Sequence, residues 1–166
     1  MTETHPDQPS RELIETRAAF QQGFDSILHL ARRELCLFDE SGIDFRLNSI
    51  ERHALLEQFL LAGKKQVLRI AVHDILHFST QCPRMQGLLR RFSESIEIRQ
   101  TGEQIRSVRD TLVIADGAHL LRRGDSRQPR GVVLLNDEPG TLPYAQRYEE
   151  IWECSAPAVF ATTLGL

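Results

Sequence analysis

Ser107-Val-Arg-Asp-Thr-Leu-Val-Ile-Ala-Asp-Gly-Ala-His-Leu-Leu-Arg-Arg123 is the stretch on which the reading of the fold turns. Thr111 to Ala115 is a short apolar run rich in β-branched residues, and Ala118 to Leu121 is a second short run, mostly apolar. Between them stands Asp116-Gly117, a dipeptide suited to a two-residue hairpin because both residue types tolerate positive φ. The segment therefore predicts two adjacent strands joined by a tight turn.

Working outward, strands alternate with helices. Upstream, Gln66 to Val72 reads as a buried strand, His73-Asp74 opens a helical stretch, and Ile96-Glu-Ile-Arg99 alternates as a half-exposed strand. Pro83 starts a helix whose inward residues are Met85, Leu88, Leu89 and Phe92. Ile43 to Leu47 is short and apolar. Asn48 or Ser49 then caps a helix that presents Ile50, Ala54, Leu55, Phe59 and Leu60, runs to about Ala62 and ends at Gly63. Further out, Leu13, Phe20, Phe24, Ile27, Leu28, Ala31 and Leu35 recur at helical spacing and predict a long N-terminal amphipathic helix over residues 11–35. Glu34 to Phe38 offers a first strand. Downstream, Gly131 to Leu135 is another strand, and Leu142 to Cys154 is a closing helix bearing Tyr144, Tyr148, Ile151 and Trp152. The fold class that follows is α/β, a mixed β-sheet flanked by helices. Residues 1–10, polar with two prolines, read as a disordered tail, and residues 11–166 as a single domain.

Composition narrows the function classes. With 166 residues, 41% hydrophobic and 26% charged, the chain is long enough for one well-filled core. A net charge of −3 gives no overall pull toward nucleic acid, so an anion site would have to be a local patch. No apolar run approaches the roughly 20 residues that span a bilayer, and the N-terminus lacks a basic start followed by an apolar stretch. The expectation is a cytoplasmic protein. Cys36, Cys82 and Cys154 are widely spaced and odd in number, which suits reduced, partly buried thiols.

The order of these elements, with Val67 to Val72, Ile96 to Arg99 and the Asp116-Gly117 hairpin at its centre, resembles the phospholipase D superfamily. One copy of the pattern is present where full-length members carry two. That family's half-motif places His, then Lys two residues on, then Asp five after the Lys. Setting Asp116 on the motif Asp puts Thr111 at the Lys and Arg109 at the His. The closing Arg147-Tyr-Glu-Glu-Ile-Trp152 is also similar to the family's C-terminal element. The whole is similar, too, to an uncharacterised bacterial domain family with this degenerate half-site, some of whose members accompany acetyltransferase domains.

What the resemblance implies is a fold without its chemistry. Members of the superfamily attack phosphorus with one imidazole, protonate the leaving oxygen with another and stabilise the phosphate with Lys. Arg109 stays protonated and cannot be a nucleophile, and Thr111 supplies no charge. The resulting reading is a non-catalytic phospholipase D-like binding or interaction module. The alternatives are an atypical phosphodiesterase using His73, Asp74 or His119, and a structural companion of an acetyltransferase or other enzyme. Family half-site proteins pair across a two-fold axis, so a homodimer or a partner protein is implied, together with a phosphate-containing ligand.

Among residue clusters, the arginines are the most suggestive. Arg99 ends a strand, Arg106 and Arg109 lie in the connection before the hairpin, and Arg122, Arg123, Arg127 and Arg130 crowd the strand and loop after it. The resemblance brings Arg99, Arg109 and Arg122 toward Asp116, and these four residues form the candidate anion site, because guanidinium forks match phosphate oxygens. Asp110, Asp116, Asp125, Asp137 and Glu138 stand in the same region as rival partners. His5, His29, His53, His73, His77 and His119 are scattered, with only His73 and His77 close, so no metal site is expected. The glycines lack phosphate-loop spacing, and no cofactor is expected. Tyr144, Tyr148, Trp152 and Phe160 read as core aromatics surrounded by Glu149, Glu150 and Glu153.

Overall fold

The apolar hairpin forms as its sequence dictates. Strand β5 (Thr111–Ala115) pairs antiparallel with β6 (His119–Arg123), and the turn residues Asp116 and Gly117 have φ of 56° and 65°. Ala115 pairs with His119, so Asp116 to Ala118 make the connection, and the positive φ at its first two residues is one that Asp tolerates and Gly takes without strain. The computed structural model describes residues 7–159. His5, Phe160 and residues 1–6 of the expected tail lie outside the described residues.

Around the hairpin the sheet extends in both directions. Its other strands are β1 (Ser10–Ile14), β2 (Glu34–Asp39), β3 (Val67–Val72), β4 (Ile96–Thr101), β7 (Gly131–Leu135) and β8 (Ser155–Val159). The order is β1-β7-β6-β5-β2-β3-β4-β8, with β2, β3 and β4 mutually parallel and the remaining neighbours antiparallel. This is the mixed sheet expected of the α/β class. Parallel neighbours need a crossover, and helices α2 (Ile50–Leu61) and α4 (Pro83–Arg91) provide two of them, with the short α3 (Leu76–Thr80) leading into α4.

Two apolar layers fill the space on either side. One face packs Leu35, Leu37, Ile70, Val113 and Leu121 against α1 (Arg17–Leu30), α2 and α4. The other packs Phe38, Ala71, Leu112, Ile114 and Leu120 against Tyr148, Ile151 and Trp152 of α5 (Glu138–Glu153). Tyr148 and Trp152 stack with centroids 6.1 Å apart, and the Tyr148 hydroxyl donates to the Arg69 carbonyl at 3.0 Å. Arg69 lies over both rings.

The N-terminal region corrects the sequence reading. Residues 11–35 do not form one helix: Ser10–Ile14 is an edge strand on β7, and α1 begins only at Arg17. Thr16 accounts for the break, since its hydroxyl accepts the Ala19 N–H at 3.0 Å and satisfies a donor the first helical turn leaves open. Leu13, which falls on the helical repeat, is 65% exposed, whereas Ile14 is buried. The stripe Phe20, Phe24, Ile27 and Leu28 is buried as expected, Ala31 lies just past the helix and Leu35 belongs to β2.

Two further differences follow from side-chain chemistry. In α2, Ile50 faces water and Arg52 is buried, donating to Asp25, Gln21 and the Phe45 carbonyl, with its guanidinium carbon 4.5 Å from the centre of the Phe24 ring. An arginine with every partner supplied replaces the apolar residue that periodicity favours. Ser155-Ala-Pro-Ala-Val159, which has little β-propensity, pairs antiparallel with β4 as the other edge strand. An edge position tolerates Pro157 because its missing N–H can face outward.

Candidate functional site

Because β2, β3 and β4 run parallel and β5 opposes β2, one end of the sheet gathers the last residues of the parallel strands and the first of β5. This end holds Asp39, His73, Asp110, Thr111, Arg122 and Arg123. Alternation along β5 sends Thr111 to the α1 side and Asp110 to the α5 side.

On the α1 side, Thr111 is fully buried. Its hydroxyl donates to Asp39 Oδ1 at 2.6 Å and accepts from Arg123 Nε and Nη2 at 3.2 and 3.0 Å. Arg123 also donates to Asp44 Oδ2 at 2.9 Å, and its guanidinium carbon lies 4.1 Å from the centre of the Phe20 ring. Asp39 Oδ2 accepts the Gly42 N–H at 2.9 Å. One donor and two lone pairs are all that a hydroxyl offers, so Thr111 is saturated. The position that the family resemblance assigns to Lys is thus closed by an internal ion pair, Asp39 and Arg123, bridged through Thr111.

On the α5 side, the buried carboxylate of Asp110 accepts from two arginines. Arg122 reaches Oδ2 through Nε at 3.3 Å and Nη2 at 3.2 Å, and Arg147 reaches Oδ1 through Nη2 at 2.9 Å. Arg122 also lies over Tyr144, with its guanidinium carbon 5.0 Å from the ring centre.

His73 has no free nitrogen. Nε2 lies 2.6 Å from the Val108 carbonyl oxygen, which can only accept, so Nε2 bears the hydrogen, while Nδ1 bonds the Thr101 hydroxyl. The ring ties β3, β4 and the segment before β5 together. His119 faces the opposite end of the sheet, where Nδ1 accepts the Asn136 N–H at 3.1 Å and burial holds its imidazole below the ordinary range. Cys82 is buried against His77 Nε2 at 3.2 Å, and burial pushes its thiol up to about 11, far from a thiolate. Among the described residues no group of three His, Cys, Asp or Glu is placed to hold a metal ion, and no helix is long and apolar enough to cross a membrane.

The four residues of the expected anion site do not converge. Arg99 and Arg122 share one register row, through Ala71, Phe38 and Leu112, but are four strands apart, about 19 Å at the usual strand spacing. Arg99 pairs with Glu97 and lies over Trp152, 4.1 Å from its ring centre. Asp116 sits at the far end of β5. Its carboxylate accepts the N–H groups of Arg32, Arg33 and Glu34 at 2.8, 2.8 and 2.9 Å, fixing the start of β2. Arg109 is exposed beside the loop of Ser126, whose N–H its carbonyl accepts at 2.7 Å. Arg122 shares the Asp110 carboxylate with a second arginine, Arg147, which escaped the sequence reading because it lies on a distant helix. Spacing does offer a signal: Arg147 stands three residues after Tyr144, on the same helical face.

Residues 16–161 match the family described as Domain of unknown function (DUF7931). The chain belongs to the DUF7931 family. No curated protein matches this DUF7931 chain. Among solved structures it is similar to TrmBL2, an archaeal chromatin protein with a novel mode of DNA binding, with a TM-score of 0.69 and 13% identity over 95% of this chain. It spans 57% of TrmBL2, little more than half. It is also similar to Nuc, a phospholipase D family member from Salmonella typhimurium, with a TM-score of 0.58 and 11% identity, covering 91% of this chain and 99% of Nuc. Phosphatidylserine synthase of Haemophilus influenzae gives a TM-score of 0.55 and 13% identity over 96% of this chain and 41% of its own. At these identities the likeness shows the fold, that of a phospholipase D-like α/β domain.

Proposed function

We propose that this DUF7931 chain is a non-catalytic phospholipase D-like module that binds an anionic, phosphate-bearing ligand or partner rather than cleaving one. The observation that supports this most is Thr111: where family-type chemistry would need a mobile cation, a saturated hydroxyl is locked between Asp39 and Arg123. Arg109, at the nucleophile position, has no unprotonated form to offer at neutral pH. The atypical alternative built on His73 is disfavoured because both ring nitrogens already have protein partners.

Purified protein should therefore leave a chromogenic phosphodiester intact while phosphate-bearing ligands raise its melting temperature, since a ligand stabilises the state it binds. DNA belongs in the same screen, because TrmBL2 shows a novel mode of DNA binding, whereas the net charge of −3 argues against it here. Turnover of the phosphodiester would overturn the non-catalytic reading. No stabilisation by any phosphate-bearing ligand would overturn the binding role.

A further inference from the structure

The Asp110 cluster carries more cation than its own neutralisation requires. A buried carboxylate needs a counter-charge and hydrogen bonds, and Arg122 provides the charge, donating to Oδ2 through Nε at 3.3 Å with Nη2 3.2 Å from the same oxygen. Arg147 then adds a second guanidinium on Oδ1, leaving a local excess of one positive charge. The two come from different elements, β6 and α5, and are held from behind by one carboxylate. Among the described residues no other carboxylate pairs with either one. Their outer edges face solvent, the side chains being 32% and 44% exposed. Arg122 Nη1 and Arg147 Nη1 and Nε make no bond to a described protein group. Tyr144 supports Arg122 against its ring, so the guanidinium is fixed before any ligand arrives.

We infer that Arg122 and Arg147, oriented by Asp110 and Tyr144, form a binding site for a phosphate or pyrophosphate group. This rests on the reading of the chain as a binding module and gives that module its site. Two guanidiniums from separate elements offer more donors than a planar carboxylate, satisfied by a single fork, can use, and a phosphate has the additional oxygens to accept them. The site is an open surface, so the group it takes is the terminal phosphate of a larger molecule. It lies on the α5 face, across the sheet from Thr111, and is therefore separate from the position where family-type catalysis would sit.

The test is a calorimetric titration of the full chain with inorganic pyrophosphate at low salt. Wild type should bind, and Arg147→Gln should weaken binding by about tenfold or more while keeping its melting temperature, because Arg122 still partners Asp110. Arg122→Gln should weaken it as much. Arg127→Gln should bind as wild type does, since that guanidinium already holds Asp125. No heat of binding with wild type, or equal affinity in Arg147→Gln and wild type, would overturn the site. Phosphodiester turnover is read separately in the same samples: it would sink the non-catalytic reading while the titration alone decides the site.

Discussion

Arg123 and Asp39 form a buried pair whose closest contact, Arg123 Nη2 to Asp39 Oδ1 at 3.6 Å, is bridged by the Thr111 hydroxyl. The bridge shortens each hydrogen bond to ordinary length and lets the two charges remain inside the domain. Replacing Thr111 by Val keeps the volume but removes all three bonds, leaving Asp39 and Arg123 short of partners. The expected cost is about 2–3 kcal/mol, seen as a fall in melting temperature of roughly 5–10 °C. Calorimetric or optical melting checks it; an unchanged midpoint would mean that the network contributes nothing.

A second consequence concerns pH. Burial holds His119 below the ordinary histidine range, with Asp116 opposing that shift and Arg32 adding to it. The folded-state value is depressed, so as pH falls the unfolded chain takes up the proton first. Stability is therefore full above the unfolded value of about 6.5 and declines as pH drops below it. The melting temperature should fall between about pH 7.5 and about pH 5.5, and His119→Gln, which can still accept the Asn136 N–H, should reduce that slope.

Asp116, which the resemblance sets on the family's motif Asp, holds the start of β2 in this structure. Asp116→Ala removes the acceptor for three backbone N–H groups and places Ala at positive φ, so a loss of about 2 kcal/mol is expected. Asp116→Asn, which tolerates that backbone and keeps one acceptor oxygen, should lose less. Chemical denaturation of the two variants side by side distinguishes them.

The N-terminal boundary gives a paired prediction. Phe24→Ala should cost about 3–5 kcal/mol, because Phe24 is fully buried on α1. Leu13→Lys should change stability by no more than about 0.5 kcal/mol, because Leu13 projects from an edge strand. Equal, large losses at both positions would restore a single helix over residues 11–35.

Periodicity made the central strands and the hairpin legible, because β3, β5 and β7 are apolar runs bounded by turn residues that nothing else in the fold contradicts. It failed at the edges for a physical reason. Edge strands such as Ser10–Ile14 and Ser155–Val159 bury few side chains and so need no apolar pattern; their pairing comes from backbone groups that any sequence supplies. The candidate site was half legible. The resemblance singled out Arg109 and Thr111 in the sequence, but the partners that Thr111 binds were not legible there. Arg123 lies twelve residues beyond Thr111 and Asp39 seventy-two before it, and only the strand order β6-β5-β2 brings them together. The same order separates Arg99 from Arg122, which proximity to the motif strand had placed together.

Internal bonds at Thr111 close the position that the resemblance assigns to the family's Lys. Hydrolysis of a chromogenic phosphodiester by the purified full chain tests this closure most directly, alone and with His73→Ala alongside. Both proteins should give a rate equal to that of buffer. A wild-type rate well above buffer that disappears in His73→Ala would contradict it.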